Sequence, residues 1–148
     1  MPIDVTAEAT IGRPRSNVVV FVSDPANDTQ WIAGIKEAHA VTEGPVGVGS
    51  RVARVASFLG RKIEYVNEID RLDESVLEMH SVKGPFPMHI TYSFDEDGAS
   101  TLARIRVQGN ATGFFRLAAP LLAGQVRRSI TRDVNNLKRV LEAQGLAS

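Results

Sequence analysis

The sequence contains no cysteine, no excess of either charge and no long apolar run. Without cysteine there are no disulfide bonds, thiolate nucleophiles or cysteine-ligated metal sites. The 17 basic and 17 acidic residues cancel, so no overall field attracts nucleic acid or an anionic membrane. The most apolar stretch, residues 113–124, contains Arg116 and Pro120 and is only about half a membrane span long. We therefore expect no membrane span and no nucleic-acid partner.

The N-terminal segment also lacks the features of a signal peptide, because MPIDVTAEAT carries acidic residues and no basic start or apolar run. We expect a soluble, cytoplasmic protein. A length of 148 residues is typical of one domain with a core of its own. Residues 1–148 are thus predicted to form a single domain, as a monomer or a homodimer.

Alternating apolar and polar residues predict seven strands. The pattern is clearest at the start, where every second residue from Ile3 to Ile11 is apolar. The connections between the later strands are too short for a parallel crossover, so the sheet is predicted to be antiparallel. The predicted strands are Ile3–Ile11, Ile35–Thr42, Ser50–Leu59, Lys62–Leu72, Val76–Lys83, Met88–Phe94 and Thr101–Gly109.

Helical patterns occur in two places. After the first strand, Pro14 and the pair Asp24-Pro25 predict two short helices, with Asp24 as an N-cap. After Thr112 the apolar period lengthens to that of a long amphipathic helix. Its predicted stripe is Phe115, Leu122, Val126, Ile130, Val134, Leu137 and Leu141. Pro120 and Gly124 predict a kink or a separate turn in its first part.

These elements predict an α+β fold in which a curved seven-stranded antiparallel sheet wraps around the long C-terminal helix. A twisted sheet that curls around one helix can leave a space between them, and such a space is a common ligand site. The alternative is that large side chains fill it. Strand parity assigns an inner face: Ile63, Tyr65, Asn67, Ile69, Leu77, Met79, Ser81, Ile90, Tyr92, Phe94, Ala103, Ile105 and Val107.

Three members of this inner face are polar, namely Tyr65, Asn67 and Tyr92. They are weak catalytic candidates, which would orient a ligand carbonyl or hydroxyl or polarise an enolate. Alternatively, they bond to one another, to the backbone or to water. No histidine or carboxylate is predicted inside the space to transfer protons. The predicted ligand-binding residues are Trp31, Phe58, Tyr65, Asn67, Met79, Phe86, Tyr92, Phe94, Phe115, Leu122 and Val126.

No cofactor or metal is predicted. His80 and His89 fall on the outward parity, His39 lies on a strand of uncertain phase, and none has zinc-site spacing. The glycines at Gly47 and Gly49 lie between strands, so they indicate a turn and not a phosphate loop. The long helix also has a solvated basic side, diluted by two acidic residues: Arg127, Arg128, Arg132, Lys138 and Arg139, with Asp133 and Glu142.

Several short segments together resemble the polyketide cyclase/dehydrase branch of the START-like (SRPBCC) superfamily. They are Asp24-Pro25-Ala26-Asn27 with Trp31, Gly47-Val48-Gly49-Ser50-Arg51, Phe58-Leu59-Gly60-Arg61, Gly84-Pro85-Phe86, Tyr92-Ser93-Phe94, residues 117–122 and residues 132–138. The resemblance implies a helix-grip fold and a hydrophobic cavity between sheet and helix. It does not imply cyclase activity, because function belongs to the site and not to the fold.

Three functions follow as hypotheses. The leading one is binding of a small hydrophobic molecule such as a lipid, polyketide, isoprenoid or aromatic metabolite. The alternative is a cyclase or dehydratase that uses Tyr65, Asn67 or Tyr92, so enzymatic activity stays open with binding favoured. The third is a module that binds a partner protein or RNA.

Overall fold

The computed structural model describes residues 2–58, 60–84, 86–110 and 119–147. Strand β1 (Pro2–Ile11) is followed by helix α1 (Arg15–Ser23), a 3-10 turn (Pro25–Asn27) and helix α2 (Asp28–Trp31). The next six strands are β2 (Ile35–Ala40), β3 (Arg51–Phe58), β4 (Arg61–Leu72), β5 (Val76–Lys83), β6 (Met88–Asp97) and β7 (Ser100–Asn110). Helix α3 (Ala119–Ala147) follows them. All seven predicted strands are present, and β6 extends furthest beyond its predicted end.

The strands form one curled antiparallel sheet in the order β1-β7-β6-β5-β4-β3-β2. From β2 to β7 each strand pairs with its neighbour in sequence, as the short connections predicted. Strand β1 instead pairs with β7. The sheet therefore joins the start of the chain to its last strand, and β1 and β2 form its edges.

The predicted faces of the sheet are confirmed by burial. Inner residues such as Ile69, Met79 and Ile105 are buried. On the outer face, Arg104 pairs with Glu8 at 3.0 Å and Arg106 with Asp4 at 2.7 Å. Such exposed pairs contribute little stability, because water and salt screen their charges. All three histidines lie away from the interior: His39 is exposed, and the side chains of His80 and His89 are 41% and 43% exposed.

The helix boundary at Asp24 forms as predicted. The Asp24 carboxylate accepts a hydrogen bond from the Ala26 amide at 3.0 Å, and Pro25 occupies the first position of the 3-10 turn. Proline suits that position because it has no N–H to leave unpaired. Helix α1 before it buries Val18, Phe21 and Val22.

Helix α3 buries the predicted stripe from Leu122 to Leu141. The described helix runs from Ala119 without a break through Gly124. The expected kink or turn near Pro120 stays a prediction, because the segment before it lies outside the described residues. Phe115 lies outside the described residues. Among the residues that the structure describes, no helix has both the length and the apolarity to cross a membrane.

Helix α3 packs mainly on β1, with further contacts to β7 and α2. Polar contacts fix it there: the Lys138 ammonium donates to the Thr10 carbonyl, and the Glu142 carboxylate accepts from the Gly12 amide, both at 2.7 Å. The backbones of β3 to β6 lie further from the helix than that of β1. The space described below lies between these strands and the helix.

The close approach at Gly109 generates a stability prediction. A Cβ at Gly109 would lie 2.7 Å from the backbone carbonyl oxygen of Pro87, so Gly109→Ala forces the backbone to move and should lower the free energy of unfolding by about 1–3 kcal/mol. Gly47→Ala is the control, since no described atom lies within 4 Å of its Cβ. Urea denaturation of both variants tests this, and equal stabilities would contradict it.

Candidate functional site

An apolar cavity opens between the sheet and α3, with a volume of about 150 Å³. We call it the outer cavity. Strands β3, β4 and β6 supply its floor through Phe58, Ile63 and Ile90, and α3 supplies Val126. Phe86, from the segment before β6, is buried against it. A surface of this kind favours an apolar ligand.

A second space, which we call the inner chamber, lies deeper and has a volume of about 110 Å³. The two spaces adjoin, because Ile32, Ile35, Tyr65, Ile90, Val107 and Asp133 line both. The chamber is the more polar of the two. Its remaining walls are Trp31, Arg54, Asn67, Tyr92, Ile105 and Ile130.

A buried ion pair stands in the wall of the chamber. Arg54 Nε donates to Asp28 Oδ2 at 2.7 Å, and the two side chains are only 7% and 1% exposed. Arg54 Nη1 also lies 4.0 Å from the Met79 sulfur. Burial raises the pKa of the Asp28 carboxyl, and the Arg54 guanidinium opposes that rise without cancelling it. The pair therefore links α2 to β3 through groups that are costly to separate.

A second buried carboxylate, that of Asp133, comes from α3. Its Oδ1 accepts hydrogen bonds from the Ala33 amide at 3.2 Å and from Arg132 Nε at 3.3 Å. Burial raises the pKa of Asp133, and these two hydrogen bonds only partly oppose the rise. One turn further along α3, Asn136 donates to the Trp31 carbonyl at 3.2 Å. Helix α3 thus holds the chain between α2 and β2 in place.

The aromatic side chains of the chamber, Trp31, Tyr65 and Tyr92, are uncharged at neutral pH. The rings of Trp31 and Tyr92 pack edge to face, with centroids 5.7 Å apart. Burial raises the pKa of both the Tyr65 and Tyr92 phenols, more than the nearby Arg54 guanidinium lowers them. Both phenols are therefore protonated at neutral pH and do not act there as phenolate bases.

Asn67 is the most deeply buried polar side chain of the chamber, with no exposed surface. Neither its Oδ1 nor its Nδ2 finds a hydrogen-bond partner among the described residues, and the same is true of the Trp31 Nε1. An unsatisfied buried polar group costs about 1–3 kcal/mol. Asn67 and Trp31 thus carry unpartnered polar atoms in the wall of the chamber.

The structure brings most of the predicted ligand-binding residues together. Phe58, Tyr65, Phe86 and Val126 line the outer cavity, whereas Trp31, Tyr65, Asn67 and Tyr92 line the inner chamber. Met79, Phe94 and Leu122 are buried in the surrounding core and line neither space in the part of the chain described. Phe115 lies outside the described residues. The role of all these residues in ligand binding stays a prediction.

Sequence reasoning missed three charged residues. Asp133 is predicted on the solvated side of the helix, but it is 6% exposed, and its spacing from Ile130 and Leu137 puts it on the buried stripe. Arg54 shares its parity with Val52 and Ala56, and this parity is the inward one. The expectation of a space without carboxylates is therefore wrong, since Asp133 lines it and Asp28 stands behind Arg54.

One group of possible metal ligands lies on the outer face of the sheet. Oxygen or nitrogen atoms of Glu68, Asp70 and His80 lie within 4.8 Å of one another. Each already has a partner, because Glu68 pairs with Arg51 at 3.1 Å and His80 Nδ1 contacts Asp70 at 2.8 Å. The group is explained by these contacts, and it is remote from the inner face that carries the cavity.

Comparison with known proteins gives consistent matches. A family model described as polyketide cyclase/dehydrase and lipid transport matches residues 2–142. TTHA0849 from Thermus thermophilus has a TM-score of 0.82 and 23% identity, over 95% of this chain and 98% of that chain. Zhui aromatase/cyclase from Streptomyces sp. R1128 has a TM-score of 0.82 and 17% identity, over 96% and 94%. A START superfamily protein from Mycobacterium smegmatis has a TM-score of 0.68 and 16% identity, over 90% of this chain and 98% of that chain. No curated protein sequence matches. The helix-grip fold is thereby confirmed.

Removal of Arg54 from the buried ion pair should cause a large loss of stability, and removal of the Asp28 charge as well should largely reverse it. Arg54→Met leaves the Asp28 carboxylate buried without its cation, which should lower the free energy of unfolding by about 3–5 kcal/mol at pH 7. The double variant Asp28→Asn with Arg54→Met removes that charge and should regain most of the loss. Urea denaturation measures both. A double variant no more stable than Arg54→Met would show that the charge is not the cause.

Asp133 predicts a pH dependence of stability. Its pKa is raised in the folded protein, so between the unfolded and folded pKa values the native state binds more protons, and stability falls as pH rises through that interval. Asp133→Asn should remove the part of this fall that Asp133 causes, leaving that of Asp28, while it keeps an acceptor for the Ala33 amide. Asp133→Ala loses the acceptor and should be less stable than Asp133→Asn by about 1 kcal/mol. Denaturation from pH 3 to pH 8 tests this, and a profile unchanged in Asp133→Asn contradicts it.

Proposed function

Since this chain belongs to the polyketide cyclase/dehydrase and lipid transport family, we propose that it binds a small, largely apolar molecule between the sheet and α3. The observation that carries the proposal is that the outer cavity and the inner chamber adjoin and share six lining residues. Apolar side chains surround the first space, and convergent polar groups from four elements face the second. In such pockets the apolar lining supplies most of the affinity, and the few polar groups fix the orientation of the ligand.

The dimensions of the two spaces limit the size of that molecule. A cavity of about 150 Å³ accommodates a molecule of the size of benzene, and drug-sized ligands need pockets of about 300 Å³ or more. The outer cavity and inner chamber, at about 150 and 110 Å³, therefore suit one ring with a polar substituent. A longer lipid or polyketide would require the walls to move apart.

Catalysis of a cyclisation or dehydration is the second candidate. It is favoured by one observation, the buried Asp133 carboxyl with its raised pKa beside the protonated Tyr65 phenol in the same space. A carboxyl shifted toward neutral pH is suited to proton transfer. The structural neighbour from Streptomyces sp. R1128 is described as an aromatase/cyclase, which is consistent with this candidate.

Binding is tested by filling the cavity. Toluene, 1-naphthol and decanoic acid are the probes, and at about 100 times Kd a bound probe should stabilise the protein by about 2.7 kcal/mol. Ile90→Phe, in the wall shared by both spaces, should abolish this stabilisation. Val82→Phe adds the same kind of ring at an exposed position on β5 and is the control. Thermal unfolding and titration calorimetry measure the effect.

The outcome separates the two candidates. If no probe stabilises the wild-type protein, or if Ile90→Phe is stabilised as much as Val82→Phe, binding in this space is wrong. Native mass spectrometry of gently purified protein, followed by extraction, identifies any bound compound. Recovery of an unaltered compound after incubation supports binding, whereas recovery with the loss of one water supports dehydration.

A further inference from the structure

Three buried hydrogen-bonding atoms of residues that line the inner chamber have no partner in the described part of the chain. Asn67 contributes one acceptor and one donor group, and Trp31 contributes the indole N–H. None has a partner among the described residues, although both side chains are buried, with 0% and 2% exposure. Because buried amides are nearly always satisfied in native proteins, this arrangement indicates a site for a polar group.

The described lining of the chamber offers no unpaired cation. Arg54 is the one cation among the described residues that line it, and its guanidinium is held by Asp28 at 2.7 Å. The only carboxylate in the described part of the lining, that of Asp133, adds no attraction for an anion. The Tyr65 and Tyr92 phenols remain neutral. A negatively charged group entering the chamber would therefore lose its hydration without gaining an unpaired cation.

We propose that the inner chamber recognises an uncharged ligand group that carries an acceptor next to a donor, such as a primary amide or a lactam edge, at Asn67. The rest of the ligand, a single ring, lies in the outer cavity against Phe58 and Val126. This inference rests on the proposed function, since it concerns the same space. It adds the polarity, the charge and the orientation of the ligand.

The chemistry of an amide explains this preference. A ligand carbonyl accepts from Asn67 Nδ2 while the adjacent ligand N–H donates to Oδ1, so one partner satisfies both atoms. A carboxylate has no proton for Oδ1 and leaves two acceptors facing each other. A hydrocarbon satisfies neither atom. Sites built to form hydrogen bonds discriminate strongly against ligands that lack them, because the groups of the site are then left unpaired.

Benzamide, benzoate and toluene form a set of probes matched in size. We expect benzamide to bind to wild-type protein at least about tenfold more tightly than benzoate or toluene at pH 7. Titration calorimetry gives the three Kd values. In parallel, the side-chain NH2 resonances of Asn67 in ¹⁵N–¹H spectra of wild-type protein should shift with benzamide and not with toluene.

Asn67→Leu removes both hydrogen-bonding atoms at similar volume. It should abolish the advantage of benzamide over toluene, and it should not destabilise the protein, because an apolar side chain has no unsatisfied atom. Asn135→Leu, at an exposed position on α3, is the matched control and should keep the advantage. If Asn67→Leu does not fold, the wild-type NMR shifts still decide the question.

The results distinguish this inference from the function on which it rests. Toluene binding with no advantage for benzamide, or an advantage that survives in Asn67→Leu, overturns the inference and leaves the cavity as a binding site. Benzoate binding more tightly than benzamide overturns it as well and shows that Arg54 or Arg132 recognises an anion. Failure of all three probes to bind overturns the inference, and it overturns the proposed function as well if 1-naphthol and decanoic acid also fail to bind.

Discussion

The structure depends on a difference in width between its one long helix and its one sheet. An α-helix with its side chains is about 10 Å across, whereas neighbouring strands lie about 4.8 Å apart, so a helix shields about two strands. Among the strands of the seven-stranded sheet, helix α3 approaches β1 and then β7 most closely. The concave surface of the other strands must be closed by the curl of the sheet and by the short helices. A space between sheet and helix follows from this geometry.

Polar groups around that space fall into two kinds. The pairs Arg54–Asp28 and Asp133–Ala33, together with the Asn136–Trp31 hydrogen bond, join β3, α2 and α3. They fix the walls, and their partners are protein atoms. Asn67 and the Trp31 indole belong to the second kind, because they line the chamber and their polar atoms have no partner among the described residues. The same chamber therefore contains both the groups that hold it together and the groups that a ligand would contact.

The sequence predicts the fold to within a few residues because apolar periodicity and turn chemistry are local. It also places Tyr65, Asn67 and Tyr92 on the inner face by parity, and the structure brings all three to one chamber. Arg54 is different, since only its contact with Asp28, 26 residues away, makes its burial tolerable. Cavity volume is likewise unpredictable from the sequence, because it depends on how all the walls pack together. The burial of Asp133, in contrast, is predictable from the sequence, because its spacing from Ile130 and Leu137 puts it on the buried face of the helix.

The pairing of β1 with β7 also has a consequence for synthesis of the chain. Strand β1 is made first, but its hydrogen-bonding partner runs from Ser100 to Asn110, and the Arg13 guanidinium reaches the Leu141 carbonyl across 128 positions. Contacts between such distant segments slow folding, because the intervening loop must close before they can form. During synthesis, β1 therefore has no partner strand until the chain has been made through β7. Until then its unpaired edge can associate with other chains.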